Sequence, residues 1–353
     1  MSMSKYFIAW WNVENLFDIE NSQTRPERLK KILANELKGW DDSVLDAKLE
    51  QLSTAISKMN DNEGPDLLGV CEVEDGPVIN KLVDKIKEKI QRDYKVVHEK
   101  VDDKRGIEVG FVYDSSKFEI SKDEDTGQDL VFSHHILREE ATRNILQVNF
   151  RIKQFNTPLI LIGNHWPSRT IGELETQPYR IAAADALSYF HKRILEEHGN
   201  DASILVMGDF NDMPFKISLM DYAFSTPYIE QSEKSDNTHF FYNLMWPLIS
   251  KGYATFYFGK EVPDPCEKKY TTYPNMLDQF MVSKSIALGE KLSIQSDSVR
   301  VNKKIGDIEL FENRFGYEEP KKFGRPTSCG HKGYLTKEGF SDHFPISLII
   351  QDQ

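Results

Sequence analysis

A chain of 353 residues, 39% hydrophobic and 28% charged, is apolar enough to bury a sizeable core, which excludes a disordered polymer. Its 44 Lys and Arg against 56 Asp and Glu leave a formal charge of -12; that argues against a general duplex binder, which would need clustered cations, and suits carboxylates that hold divalent metal. Cys71, Cys266 and Cys329 are too scattered for a disulfide framework or zinc knuckle, and no apolar run approaches the roughly 18–20 residues of a membrane span.

The chain opens on "MSMSKYFIAWWNVENLF", which has no small-residue cleavage site; a reducing, cytoplasmic setting is expected. Its first predicted strand, 5–13, runs into Asn12 and Glu14. A helix is predicted over 43–60, then a strand over 65–73 that carries Glu72, and a helix over 76–91. Strand 107–114 holds Glu108. Strand 145–152 follows Arg143, and strand 158–166 ends in Asn164 and His165. In 173–197 Leu174, Ile181, Ala184, Leu187, Phe190 and Leu195 recur at helical intervals. Strand 202–210 leads into Asp209 and Asn211, strand 275–283 carries Asp278 inside an apolar run, and "GFSDHFP" sets Ser341, Asp342 and His343 before a last strand, 344–351. Runs this rich in Val, Ile, Leu and Phe fit strands buried on both faces. The less regular stretches, about 215–272 and 286–338, are expected to be excursions from one domain, 1–353, because core strands resume after each.

Each polar cluster alone reads as a turn or a helix cap, and a lone histidine as a structural imidazole. Asp278 is different, because a buried carboxylate needs a partner, and a histidine is a natural one. In α/β sheets ligands gather beyond strand ends. Six clusters of carboxylates, Asn and His at such ends suit a single chemistry, in which Mg2+ or Mn2+ is held, phosphate is bound and water is activated. No G-x-x-x-x-G-K-[ST] loop and no H-E-x-x-H is present, so a nucleoside triphosphatase or zinc peptidase is unsupported.

In order, "WNVEN", "EVED", "RGIEVGFVYD", "GNHWPSR", "GDFND", "LDQF" and "SDHFP", from residue 10 to 345, resemble the endonuclease/exonuclease/phosphatase superfamily, the fold of pancreatic deoxyribonuclease and the abasic-site exonucleases. The resemblance implies a DNase I-like α/β fold: a four-layer sandwich with two central mixed β-sheets flanked by helices. It implies metal-dependent phosphoester hydrolysis with Mg2+ or Mn2+, in which Glu72 is the principal metal ligand, with Glu14 nearby and Asp342 on the metal side. Asp209 would position and activate water. His343 would contact the scissile phosphate and Asp278 would orient it. Asn12, Asn164 and Asn211 would serve the phosphate side. His165, a mark of the deoxyribonuclease-like branch, would pair with Glu108 and protonate the leaving oxygen. Arg143 would contact phosphate or else be a solvated charge at a strand start; Ser168 and Arg169 are further substrate-contact candidates.

The substrate reading that follows is a nuclease on DNA or RNA, with Lys and Arg around 321–332 as a local basic strip and no obligate protein partner. The alternative is a phosphatase or phospholipase-type enzyme on inositol phosphates or sphingomyelin; Gln279 stands where inositol polyphosphate phosphatases resemble one another in having Arg. The aromatic segment 238–246 would be packed core or a lid, or else a lipid-facing or base-stacking surface. An inactive binding protein of the same fold is the third reading.

Overall fold

The apolar runs become strands because β-branched and aromatic side chains fill both faces of a pleated sheet. A computed structural model of the chain describes residues 3–101, 105–136, 143–235, 239–262, 269–324 and 337–352. In chain order the principal strands are β1 (Ser4–Leu16), β2 (Leu67–Val73), β3 (Tyr94–His98), β4 (Glu108–Asp114), β5 (Ile145–Ile152), β6 (Thr157–His165), β7 (Ile204–Asp209), β8 (Phe256–Val262), β9 (Lys269–Asn275), β10 (Asp278–Val282) and β11 (Ile346–Asp352). The principal helices are α1 (Asp42–Asn62), α2 (Gly76–Lys89) and α3 (Glu173–His198).

The first sheet runs Leu292–Ile294, β11, β1, β2, β4, β3, and the second runs Ser225–Thr226, Phe241–Asn243, β10, β7, β6, β5, Phe118–Ile120. Both are mixed: β1–β2 and β6–β7 are parallel, while β1–β11 and β7–β10 are antiparallel. Alternation then sorts each run between two cores. In β7, Leu205 and Met207 join the core between the sheets, and Ile204 and Val206 join a second core with Ala183, Leu187 and Ile194 of α3. Helices α1 and α2 cover the outer face of the first sheet, where Ile79 of α2 lies over Gly110. The result is the expected helix–sheet–sheet–helix stack.

Three details depart from the expectations, and the aromatic segment agrees with one of them. Leu174 is 76% exposed and does not belong to the buried stripe of α3, which Ala183 and Ile194 supply instead. The stretch 215–272 is not wholly an excursion, because Ser225–Thr226 and Phe241–Asn243 extend the second sheet beyond β10. In the aromatic segment 238–246, of which residue 238 lies outside the described residues, Phe241 and Met245 are buried, so this part is core. Strand β3 and the β8–β9 hairpin were not anticipated. No helix among the described residues is long and apolar enough to cross a membrane.

Candidate active site

Alternation also gathers the polar residues at one end of the inter-sheet core. In β1 the face that carries Tyr6, packed on Phe118 of the second sheet, also carries Trp10 and Asn12. Across the second sheet the register pairs His165 with Asp209 and Asp209 with Asp278, so three adjacent strands place these side chains in a row, on the face of Leu205 and Met207. Two bonds tie the sheets together there: Asn12 Nδ2 donates to Asp209 Oδ2 at 3.1 Å, and Trp10 Nε1 donates to Asp278 Oδ1 at 3.0 Å.

Glu72 should point away from this end, because Gly69 on β2 faces Trp10 and Met207 and alternation would turn residue 72 outward. A left-handed backbone at Glu72 (φ 61), with a register shift between Cys71 and Val73, turns it back. Its Oε2 accepts from Asn15 N–H at 2.9 Å, and its Oε1 lies 3.6 Å from His165 Nε2. Positive φ at a non-glycine residue is costly and concentrates at functional sites; Glu14, Asn15 and Asn211 share it.

The centre of the cluster is His343. Its Nδ1 bonds Asp278 Oδ2 at 2.6 Å, and its Nε2 lies 3.8 Å from Asp209 Oδ2. Burial works against its charge, but the carboxylates of Asp278 and Asp209 outweigh burial and push its pKa up to about 10. It is therefore an imidazolium at neutral pH. Its backbone is fixed as well: Ser341 Oγ accepts from His343 N–H and donates to the Asn12 carbonyl, and Trp11 Nε1 donates to the His343 carbonyl.

Asp209 is buried, and burial raises its pKa to about 6 against the opposing pull of His343. Three N–H groups aim its oxygens: Asn12 Nδ2, Asn211 N at 2.9 Å and Asn211 Nδ2 at 3.2 Å. The remaining hydrogen of the Asn211 amide goes to the Trp166 carbonyl at 3.0 Å. Asn211 thus serves Asp209, with little left to offer a phosphate.

Several expected roles are corrected by this geometry. Glu108 does not pair with His165; on strand β4 it shares the face of Gly110, beside His98, and its carboxylate contacts His98 and accepts from Val101 N–H at 2.7 Å. His165 Nε2 instead sits 2.7 Å from Arg143 Nη1, an obligate donor, so that nitrogen is an acceptor and the ring is neutral. Burial, then the Arg143 charge, holds its pKa well below the ordinary value. A neutral imidazole with its lone pair so used has no proton on Nε2 to give a leaving oxygen. Arg143 is no solvated strand-start charge: it is buried and also bonds the Trp166 carbonyl at 2.9 Å. Asn164, next to His165, necessarily faces the other way, where its Oδ1 takes the Trp166 indole N–H at 3.0 Å, away from any phosphate. Asn12 is fully buried, its amide N–H donating to Asp209 and its amide oxygen accepting from the Glu14 N–H, so both ends of the side chain are already engaged.

The three expected metal carboxylates do not form one group. Glu14 accepts from Phe323 N–H at 3.2 Å and lies 4.0 Å from the buried Lys48 ammonium, while Asp342 lies 3.9 Å from Lys322. Among the described residues the only group of three or more His, Cys, Asp or Glu with ligand atoms all within 4.8 Å is Asp209, Asp278 and His343. That group is already satisfied as a hydrogen-bonded carboxylate–imidazolium system. Among the described residues Glu72 keeps an oxygen free of hydrogen bonds at a rim, its side chain 14% exposed, and the Asp342 side chain, 24% exposed, accepts none on either oxygen. One hard carboxylate completed by waters and substrate oxygens is how Mg2+ is usually bound, so the donor set fits such a cation.

Reading strand ends missed Trp10, Arg105, whose Nη2 donates to Asn15 Oδ1 at 2.7 Å, and Thr255, whose hydroxyl accepts from Leu277 N–H and Asp278 N–H. Trp10 could have been found, since it lies two residues before Asn12 on the same strand face. Thr255 and Arg105 lie outside any periodic run.

A sequence model described as the Endonuclease/Exonuclease/phosphatase family matches residues 7–352. No curated protein matches the chain. Among solved structures, it is similar to an endonuclease/exonuclease/phosphatase family protein from Bacteroides thetaiotaomicron (TM-score 0.52, 15% identity, covering 100% of this chain and 99% of that one). It is similar to a mannosyl-6-phosphatase from the same organism (0.52, 16%, 98% and 99%) and to D. rerio TDP2, solved with a single strand DNA product (0.52, 12%, 98% and 99%). At these identities the likeness carries the fold alone.

Proposed function

The chain belongs to the endonuclease/exonuclease/phosphatase family, whose members are phosphoesterases, and from that premise we propose that it is a divalent-metal-dependent phosphodiester hydrolase acting on nucleic acid. The observation that carries the reading is the placing of an imidazolium, His343, 3.8 Å from a carboxylate, Asp209, that three N–H groups aim. One side chain offers a charged donor to a phosphate oxygen, and the other offers a base to water.

Mg2+ or Mn2+ held at Glu72, with Asp342 as the second candidate group, would supply Lewis acidity toward a phosphate oxygen. The chain's own groups do the rest. His343, kept charged by Asp278, donates Nε2–H to a non-bridging oxygen and offsets charge that grows in the transition state. Asp209 accepts a proton from water as the water oxygen bonds to phosphorus and the ester P–O bond breaks; the departing oxygen takes a proton from solvent. His165, neutral and fixed by Arg143, shapes the wall between Asp209 and Glu72.

The test is a turnover screen of pure protein with Mg2+, Mn2+ or EDTA against plasmid DNA, single-stranded DNA, RNA, inositol phosphates, sphingomyelin and mannose 6-phosphate. Metal-dependent cutting of a polynucleotide is expected. Turnover of small or lipid phosphoesters with every polynucleotide intact defeats the nuclease reading. That second reading, a small-molecule or lipid phosphoesterase, draws on one feature: Ile171 and Leu174, both largely exposed, lie beside Glu173, which neighbours Arg169 at 3.6 Å in the loop after His165.

A further inference from the structure

We propose that the face of the β8–β9 hairpin beside His343 is a stacking platform for an unpaired nucleobase, with Arg169 as its phosphate clamp, so that the substrate class is single-stranded nucleic acid. The inference rests on the hydrolase reading above and narrows it. In the hairpin the register sets Phe256 opposite Asn275 and Phe258 opposite Tyr273. Directly opposed residues and their i+2 neighbours share a face, so Phe256, Phe258, Tyr273 and Asn275 all project from one side. The other side carries Tyr257, buried against Tyr317 with ring centroids 5.8 Å apart. The hairpin is therefore anchored through one face and presents the aromatic one.

That aromatic face adjoins the reacting groups. The Phe256 ring lies 4.8 Å from the His343 ring, and Phe258 lies 4.8 Å from Phe256. Both phenyl rings are half-buried, and Tyr273 is 52% exposed. Cations flank the rings: the Arg169 guanidinium is 4.7 Å over Phe258, and the Lys322 ammonium is 5.6 Å over Phe256. Arg169 is held by Asn275 Oδ1 at 2.9 Å and by Glu173 at 3.6 Å, its side chain is 7% exposed, and its buried Nε–H has no hydrogen-bond partner among the described residues. A buried, unsatisfied cationic donor beside a phosphoester site is costly unless a ligand satisfies it.

Aromatic platforms next to a cationic track are how proteins hold unpaired strands, because each base presents a π-face whatever its identity. In a duplex those faces are covered by neighbouring base pairs, so the platform would have nothing to take. A duplex would instead call on a basic surface, and the chain carries a formal charge of -12.

The experiment uses the full chain. An Asp209→Asn variant in EDTA is titrated with a labelled single strand of about 12 nucleotides and with the same sequence as a duplex, read by fluorescence anisotropy. The single strand is expected to bind about tenfold tighter or more, and adding Phe258→Ala should remove about tenfold of that, with Phe258→Trp restoring it. In the active chain, the ratio of single-strand cleavage to bis(p-nitrophenyl) phosphate hydrolysis should fall about tenfold on Phe258→Ala. Equal affinity for strand and duplex, or a ratio that does not move, overturns the platform. Failure to hydrolyse bis(p-nitrophenyl) phosphate with either metal overturns the hydrolase reading instead, while the anisotropy arm still decides the platform. Phosphate release from mannose 6-phosphate with every strand left uncut and unbound overturns both.

Discussion

His343 Nδ1 lies 2.6 Å from Asp278 Oδ2, and the opposite ring nitrogen faces Asp209 Oδ2 at 3.8 Å. The two carboxylates do different jobs because of what surrounds them. Asp278 is fully buried and divides its oxygens between His343 and the Trp10 indole, so it can only hold. Asp209 lies at the strand end beside the gap that His343 Nε2 faces, so it can act.

The first prediction concerns the alkaline limb. His343 stays charged up to about pH 10, so activity that needs the imidazolium is retained across neutral pH and lost as pH rises through that value. Asp278→Asn removes the larger of the two attractions. The alkaline limb of kcat/KM should then move down by at least about one pH unit, with turnover reduced about 100-fold. An unmoved limb would mean that another group sets it.

The acid limb belongs to Asp209, whose pKa is raised to about 6, so hydrolysis should fall as pH drops through about 6 with the slope of one proton. The stability sign runs the same way as any raised carboxyl: folding favours the protonated form, so the contribution is full below about pH 4 and lost as pH rises through about 6. Asp209→Asn should therefore cut turnover by about 100-fold or more while melting no lower than wild type at pH 7.5. Any melting advantage should shrink by pH 4.5. Calorimetry across that range checks it.

Arg143 and Glu108 separate the observed geometry from the pairing that the family resemblance implied. With its ring buried and Arg143 on its Nε2, His165 should show no titration near its ordinary value in long-range 1H–15N spectra, and Arg143→Gln should raise its pKa without restoring the ordinary value, because burial is the larger cause. Glu108→Gln should change turnover by less than about threefold, under 1 kcal/mol of barrier, because Glu108 contacts His98 and accepts from Val101 N–H and does not touch the reacting groups. A 100-fold loss would restore the Glu108–His165 pair.

These residues also mark where strand-level reasoning reached. Every principal strand that carries a site residue was legible as an apolar run, and the end-of-run polar residues did converge. Facing was harder. Asn164 and His165 are adjacent on one strand, so alternation alone forbids both from meeting one phosphate. Glu14 and Glu72 obey no such rule, because left-handed backbone and register shifts redirect them, and neither shows in composition or period. Glu108 found a nearer partner in His98, on a strand whose pattern, "YKVVH", is too short to announce itself. The aromatic hairpin lies within a stretch that matched no expected pattern, and only its register shows that Phe256 and Phe258 share a face.

The last prediction separates the two glutamates that the resemblance grouped as metal ligands. Glu72 keeps Oε1 clear of hydrogen bonds at the rim, whereas Glu14 faces buried Lys48 and the Phe323 N–H. Glu72→Gln should raise the Mg2+ concentration needed for half-maximal turnover about tenfold or more, because a neutral amide is a poor ligand for a hard cation, with the melting temperature little changed. Glu14→Gln should do the reverse: near-normal metal dependence, but a lower melting temperature, since it leaves the Lys48 ammonium short of its counter-charge in the interior. Isothermal titration with Mn2+ in the absence of substrate gives the affinity directly. If Glu14→Gln abolished Mn2+ binding and Glu72→Gln did not, the cation would have to be placed on the Lys48 side of β1.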